Sequence, residues 1–125
     1  MTTKKKELIV TSALPYANGP LHFGHLLEHI QTDIWVRAQR ILGNHCIYLC
    51  ASDAHGTPIM MKAEEENVPP EKLVDKYMKE HKKTLEAFQV SHDCYYQTHS
   101  EENKKYSELI YLSLIHISEP TRQVL

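Results

Sequence analysis

Residues 7–53 read ELIVTSALPYANGPLHFGHLLEHIQTDIWVRAQRILGNHCIYLCASD, and their order of patterns decides the fold. Glu7-Leu8-Ile9-Val10-Thr11-Ser12 is rich in β-branched residues and stops before Pro15, which predicts a buried strand. From Gly24 onward Leu27, Ile30, Ile34, Ala38 and Ile41 recur every three or four residues until Gly43. That predicts a helix ended by a glycine in the left-handed position, with its apolar stripe against the core. His45-Cys46-Ile47-Tyr48-Leu49-Cys50-Ala51 is a second strand. Two strands joined by such a helix form a parallel pair with a right-handed crossover, the opening of a doubly wound α/β sheet. Ligands bind such sheets at the carboxyl ends of the strands. Both glycine-containing loops, PYANGPLHFGH (15–25) and SDAHGTP (52–58), fall there.

Further along, Thr57-Pro58 offers an N-cap followed by proline at the first helical position, opening a helix through Glu66. Pro69-Pro70 interrupts the chain before an amphipathic helix with Leu73, Val74, Tyr77, Met78, Leu85 and Phe88 on its apolar face. Gln89 to His99 is irregular, with Cys94-Tyr95-Tyr96 extended, and Ser100 caps a last helix running to about Tyr111. Glu64-Glu65-Glu66 and Lys79 to Lys83 read as solvated faces. Trp35 reads as core, and Cys46 and Cys50 as packed small hydrophobes on one strand face.

At 125 residues the chain is one domain or part of one. Fourteen Lys and Arg against sixteen Asp and Glu give a net charge of −2, which excludes the global basic field of a self-sufficient nucleic-acid binder. No apolar run approaches the ~20 residues that span a bilayer, and Leu8-Ile9-Val10 is too short to follow MTTKKK as a secretion signal. A cytoplasmic protein without a membrane partner is expected. Three cysteines at wide spacing (Cys46, Cys50, Cys94) form neither a disulfide framework nor a CxxC metal half-site.

The end of the chain stands apart. Leu112-Ser113-Leu114-Ile115-His116-Ile117-Ser118-Glu119-Pro120-Thr121-Arg122 interrupts the helical pattern and resembles a translated transposase sequencing adapter. Native sequence is therefore expected to end near Tyr111, leaving 112–125 as a non-native tail without functional weight for His116 or Arg122.

The histidines at the mouth of the first helix carry the chemistry. His22, His25 and His29, at i, i+3 and i+7, could share a helical face and hold a metal with Asp53 or His55, but the spacing matches no zinc pattern and leaves Gly24 without a purpose. A phosphate clamp uses more of the residues. A helix N-terminus presents free N–H groups and a positive dipole end, Gly24 permits close approach, and each imidazole can donate a hydrogen bond. The plain alternative is a pair of helix-end histidines satisfied by nearby carbonyls.

His22-Phe23-Gly24-His25 resembles the HIGH signature of the class I aminoacyl-tRNA synthetases. ALPYANGPLHFGHLLEHIQTDIWVR, ASDAHGTPIMMKAEEE and SHDCYYQTHSEENKKYSELIY, in that order, are similar to the bacterial type of methionyl-tRNA synthetase across about residues 7–111. The resemblance implies the N-terminal part of a Rossmann-like catalytic domain, with the start of its inserted region, in an enzyme that activates methionine with ATP and Mg2+ and passes it to tRNA. It implies that His22 and His25 stabilise the phosphates while Gly24 leaves room for adenine, and that His55 and Gly56 line the ATP side. It gives Ala13, Leu14 and Tyr16 to the methionine pocket and Asp53 to the substrate's ammonium group. No metal ligand is assigned here, since zinc in this family belongs to a cysteine-rich knob that this sequence lacks. Ser52 stands where a further Asp is familiar, and nothing resembles the second signature, KMSKS. tRNA contacts are expected mainly outside this stretch. Half an active site implies an inactive piece with an unpaired sheet edge. The alternative is an autonomous nucleotide- or metal-binding module built on the HxGH histidines.

Overall fold

The computed structural model describes residues 4–117. Its elements run β1 (Glu7–Thr11), α1 (Phe23–Ile41), β2 (His45–Ser52), α2 (Thr57–Glu65), α3 (Pro70–Ala87), β3 (Cys94–Gln97) and α4 (Glu101–Ile117). The three strands form one parallel sheet in the order β1-β2-β3, with Leu8 opposite Cys46, Val10 opposite Tyr48 and Cys50 opposite Tyr95. The expected α/β class and parallel crossover are therefore present. Gly43, at φ 82°, follows α1 as the expected left-handed stop.

Helices α1 and α3 cover one face of this sheet. Cys46, Tyr48 and Cys50, alternating along β2, bury against Val36 of α1, Leu85 of α3, Val90 and Tyr95. A second cluster joins Ile59 and Ala63 of α2 to Leu73, Val74 and Tyr77 of α3 around Ala17 and Ala54. On the other sheet face Ile9 is 74% exposed, so β1 is half-buried rather than buried. The second helical layer of a doubly wound sheet is not formed by the described residues.

Helix α1 departs from its predicted orientation. Ile34 and Ile41 are 62% and 85% exposed, Leu27, Ala38 and Trp35 are exposed too, and the buried face carries His29, Asp33 and Val36. The reason is hydrogen bonding. Asp33 accepts from the Ser91 backbone N–H at 2.7 Å, and His29 meets the Ser12 hydroxyl at 3.2 Å, contacts available only facing inward.

Smaller corrections follow similar physics. The N-cap of α2 is Gly56, not Thr57, because its φ of 133° suits glycine. Phe88 lies at the end of α3, exposed, beyond the buried stripe ending at Leu85. Within the run from Lys79 to Lys83, His81 is buried. Helix α4 continues past Tyr111 to Ile117 with every residue exposed, so the apolar sequence between them sustains helix. The expected tail from residue 118 onward lies outside the described residues.

Candidate active site

The first loop, between β1 and α1, lies along the end of β2. Tyr16 and Asp53 pair as an isolated parallel bridge, the Asp53 N–H donating to the Pro15 carbonyl and the Ala17 N–H to the Asp53 carbonyl, each at 2.8 Å. The Tyr16 hydroxyl donates to the His55 carbonyl at 3.0 Å. A Cβ on Gly56 would lie 2.4 Å from that hydroxyl oxygen, so glycine here makes room for the phenol as well as the turn. Tyr16, Asp53, His55 and Gly56 are thus one constellation. Ala13 and Leu14 sit on the same loop, both exposed, with the Ala13 N–H donating to the Glu28 carboxylate of α1 at 2.6 Å.

His22, Gly24 and His25 form a second constellation at the start of α1. His22 is the N-cap. Its Nδ1 accepts from the Gly24 N–H at 3.1 Å, while His25 Nδ1 accepts from the His22 N–H at 3.3 Å. The two rings stack with centroids 3.7 Å apart. This is a capping box with imidazoles in place of hydroxyl and carboxylate. Accepting at Nδ1 fixes both neutral rings as the Nε2–H tautomer, leaving two N–H donors at the helix mouth. Burial, then the His22 ring, holds the His25 imidazole below its usual pKa, which favours the neutral donor. A Cβ on Gly24 would sit 2.9 Å from His22 Cε1, so this glycine keeps space for the capping ring.

His81 braces the loop between the two groups. Its Nδ1 meets Ser52 Oγ at 2.9 Å and its Nε2 meets the Gly19 carbonyl at 2.7 Å, so α3 holds the NGP turn against the end of β2. Burial lowers its pKa, the Gly19 carbonyl opposing. Ser52, fully buried, also meets the Tyr95 hydroxyl at 2.9 Å, and the buried phenol is driven well above the ordinary range.

The end of β3 adds residues that no sequence reading assigned. Thr98 Oγ1 accepts from the Ala54 N–H at 2.8 Å and lies 3.5 Å from the Asp53 carboxylate, and His99 Nδ1 meets His55 Nε2 at 3.0 Å. A cavity of about 180 Å³ lies between His55, Gly56, Ile59, Met60 and His99, and a wider one of about 540 Å³ opens on His55, Thr98 and His99. His22 and His25 line neither. The signal for Thr98 and His99 was available in the carboxyl-end rule applied to the third strand. Glu28 and His81 gave no such signal, because each acts through a backbone group distant in sequence.

Comparison with known proteins identifies the family and the fold. The model of the family "tRNA synthetases class I (M)" matches residues 8–122. Methionine--tRNA ligases from two strains of Leptospira biflexa serovar Patoc are each 57% identical over 109 residues, covering 87% of this chain and 16% of the relative. The chain thus spans about a sixth of their length. Among solved structures, Mycobacterium tuberculosis methionyl-tRNA synthetase in complex with methionyl-adenylate superposes with a TM-score of 0.86 at 26% identity, over 89% of this chain and 22% of that one. The agnB2 LeuRS of Agrobacterium radiobacter K84, in a ternary complex with tRNA and LeuAMS, shares the fold at a TM-score of 0.82 and 20% identity, over 92% and 15% of the two chains. The three-stranded parallel sheet is therefore part of a Rossmann-like catalytic domain, and the chain belongs to the class I tRNA synthetases of the M type, the family of the methionine--tRNA ligases.

Proposed function

We propose that the chain supplies one part of the adenylate-forming site of a methionine--tRNA ligase. Methionine's carboxylate oxygen attacks the α-phosphorus of ATP, the bond to the β-phosphate oxygen breaks, and pyrophosphate leaves. The aminoacyl group then passes to tRNA. The observation carrying the reading is the convergence of the first loop on the end of β2 through Tyr16, Asp53 and His55, the same loop leading into a helix start capped by His22 and His25.

Chemically the step needs positioning and charge stabilisation. His22 and His25 donate to phosphate oxygens as negative charge redistributes, Gly24 leaves the adenine side open, and His55 and Gly56 border the nucleotide. Ala13, Leu14 and Tyr16 offer apolar surface and one phenol to the thioether, and the Asp53 carboxylate receives the α-ammonium group. ATP brings Mg2+, for which no ligand is assigned among these residues. The family's zinc belongs to cysteines this sequence does not contain. The proposed setting is cytoplasmic, and among the described residues no helix is long and apolar enough to cross a membrane. Residues 112–125 are proposed to be foreign to the gene from their likeness to an adapter, against a family match that runs on to residue 122, and amplification of the locus decides between the two: the frame should diverge after codon 111, and native codons there would overturn the proposal.

Methionine-dependent ATP–pyrophosphate exchange tests the functional reading. The 125-residue chain should be inactive, while a protein extended to the relatives' full length should be active and lose about 10²–10³-fold in kcat on His25→Ala. Exchange by the short chain, or an indifferent His25→Ala, would sink it. The autonomous module is disfavoured by the open sheet face and unburied α4.

A further inference from the structure

Behind the first loop, on the covered face of the sheet, three segments bring metal-ligating atoms together. His29 of α1, Cys50 of β2 and His92 of the segment before β3 each place a ligating nitrogen or sulfur within 4.8 Å of the others. His29 is 1% exposed, Cys50 is buried and His92 is partly open. None of the three belongs to the HxGH motif or the Asp53 loop.

We propose that His29, Cys50 and His92 form a site for a zinc-class divalent cation that clamps α1 and the β3 approach to the central strand. The ring nitrogens His29 Nδ1 and His92 Nε2 lie 3.4 Å apart. Two Zn–N bonds of about 2.0–2.1 Å at a tetrahedral angle require a nitrogen separation of about 3.3–3.4 Å. One thiolate and two imidazoles are a donor set zinc accepts, drawn here from three elements rather than one helix. Ser12 Oγ stands 3.2 Å from His29 Nδ1 and 3.5 Å from Cys50 Sγ, beside the cluster. His29 is buried with Nδ1, the nitrogen offered to the site, turned toward both Ser12 Oγ and His92 Nε2. A tetrahedral site would hold Cys50 Sγ about 3.5 Å from the nitrogens. His92 borders a surface cavity of about 300 Å³ with Glu86 and Asp93, which gives a cation a route in.

Cobalt titration of the full 125-residue chain tests this, because cobalt reports both geometry and sulfur. One equivalent should produce intense tetrahedral d–d absorption with a thiolate-to-cobalt charge-transfer band, and excess zinc should erase both. Cys50→Ser should remove the charge-transfer band, Cys46→Ser and Cys94→Ser should retain it, and His92→Gln should weaken binding by about tenfold or more. Circular dichroism of each variant guards against misfolding, and His92→Gln, at a partly exposed position, serves if Cys50→Ser fails to fold. A chain without the charge-transfer band, a band that survives Cys50→Ser, or an affinity unmoved by His92→Gln would overturn the site. Binding at surface histidines such as His22 and His25 would show d–d absorption without the sulfur band, and would likewise count against it.

Discussion

The Tyr16 hydroxyl donates to the His55 carbonyl at 3.0 Å, and the same oxygen lies 2.4 Å from where a Cβ on Gly56 would stand. One phenol thus links two loops and forbids a side chain beside it. Gly56→Ala should destabilise the chain twice over, by that clash and by about 1–3 kcal/mol for placing alanine at a φ of 133°. Tyr16→Phe should remove the hydrogen bond alone, costing about 0.5–1.5 kcal/mol. In a denaturant-unfolding double-mutant cycle the two changes together should cost less than their sum, since Phe relieves the clash. Strict additivity would mean that the loops do not meet as described.

His22 caps α1 and, in the proposed function, also faces phosphate. His22→Ala should lose both, with about 0.5–2 kcal/mol of stability from the lost cap. His22→Asn keeps a cap acceptor while removing the ring, so thermal unfolding should stay near the parent value. In the extended protein, His22→Asn should still lower the exchange rate by about 10²–10³-fold. If Asn restored both stability and exchange, the imidazole would be a cap and nothing more.

Asp33 is the buried anchor of α1. Its carboxylate accepts from the Ser91 N–H and hydroxyl and pairs with Arg37 at 2.6 Å. Burial pushes its pKa upward, but Ser91, then Arg37, outweigh it and hold the group below the ordinary carboxylate value. The folded pKa lies beneath the unfolded value of about 3.9, so this stabilisation is complete above that pH and is lost as pH falls through the folded value. Asp33→Asn should cost about 1.5–3 kcal/mol near neutrality and flatten the acid limb of urea midpoints measured from pH 6 to pH 2. An acid limb of unchanged steepness would exclude Asp33 as its source.

Much of this was legible in residues 7–53 because strand, loop, helix and strand each carry a local signature. The orientation of α1 was not. Two stripes with the same period run along it, Leu27-Ile30-Ile34-Ala38-Ile41 and Leu26-His29-Asp33-Val36, and hydropathy favours the first, of which Ile30 alone packs on the core, whereas Ser12 and Ser91 select the second through partners distant in sequence. The site divided the same way. Tyr16, Asp53 and Gly56 fell in loops that strand ends expose, but His81 looked like one more polar residue in a lysine-rich helix until Gly19 and Ser52 were found at either side of its ring.

Ser52, where the resemblance in sequence leads one to expect Asp, gives the last prediction. Its hydroxyl is fully buried between His81 Nδ1 and the Tyr95 hydroxyl, each 2.9 Å away. His81 now sits below its usual pKa because burial penalises the cation. A carboxylate introduced by Ser52→Asp would lie within reach of the ring and favour the imidazolium, reversing that shift. In the parent, neutral His81 contributes stability above its unfolded pKa of about 6.5, and this is lost as pH falls through the lower folded value. In Ser52→Asp the folded value should rise above 6.5, so the pair contributes fully below about pH 6.5 and fades as pH rises through the new value. NMR titration of the His81 ring should show the move directly. Urea midpoints should show Ser52→Asp gaining on the parent from pH 8 to pH 6, and a gap independent of pH would mean that the carboxylate is protonated or turned away from His81.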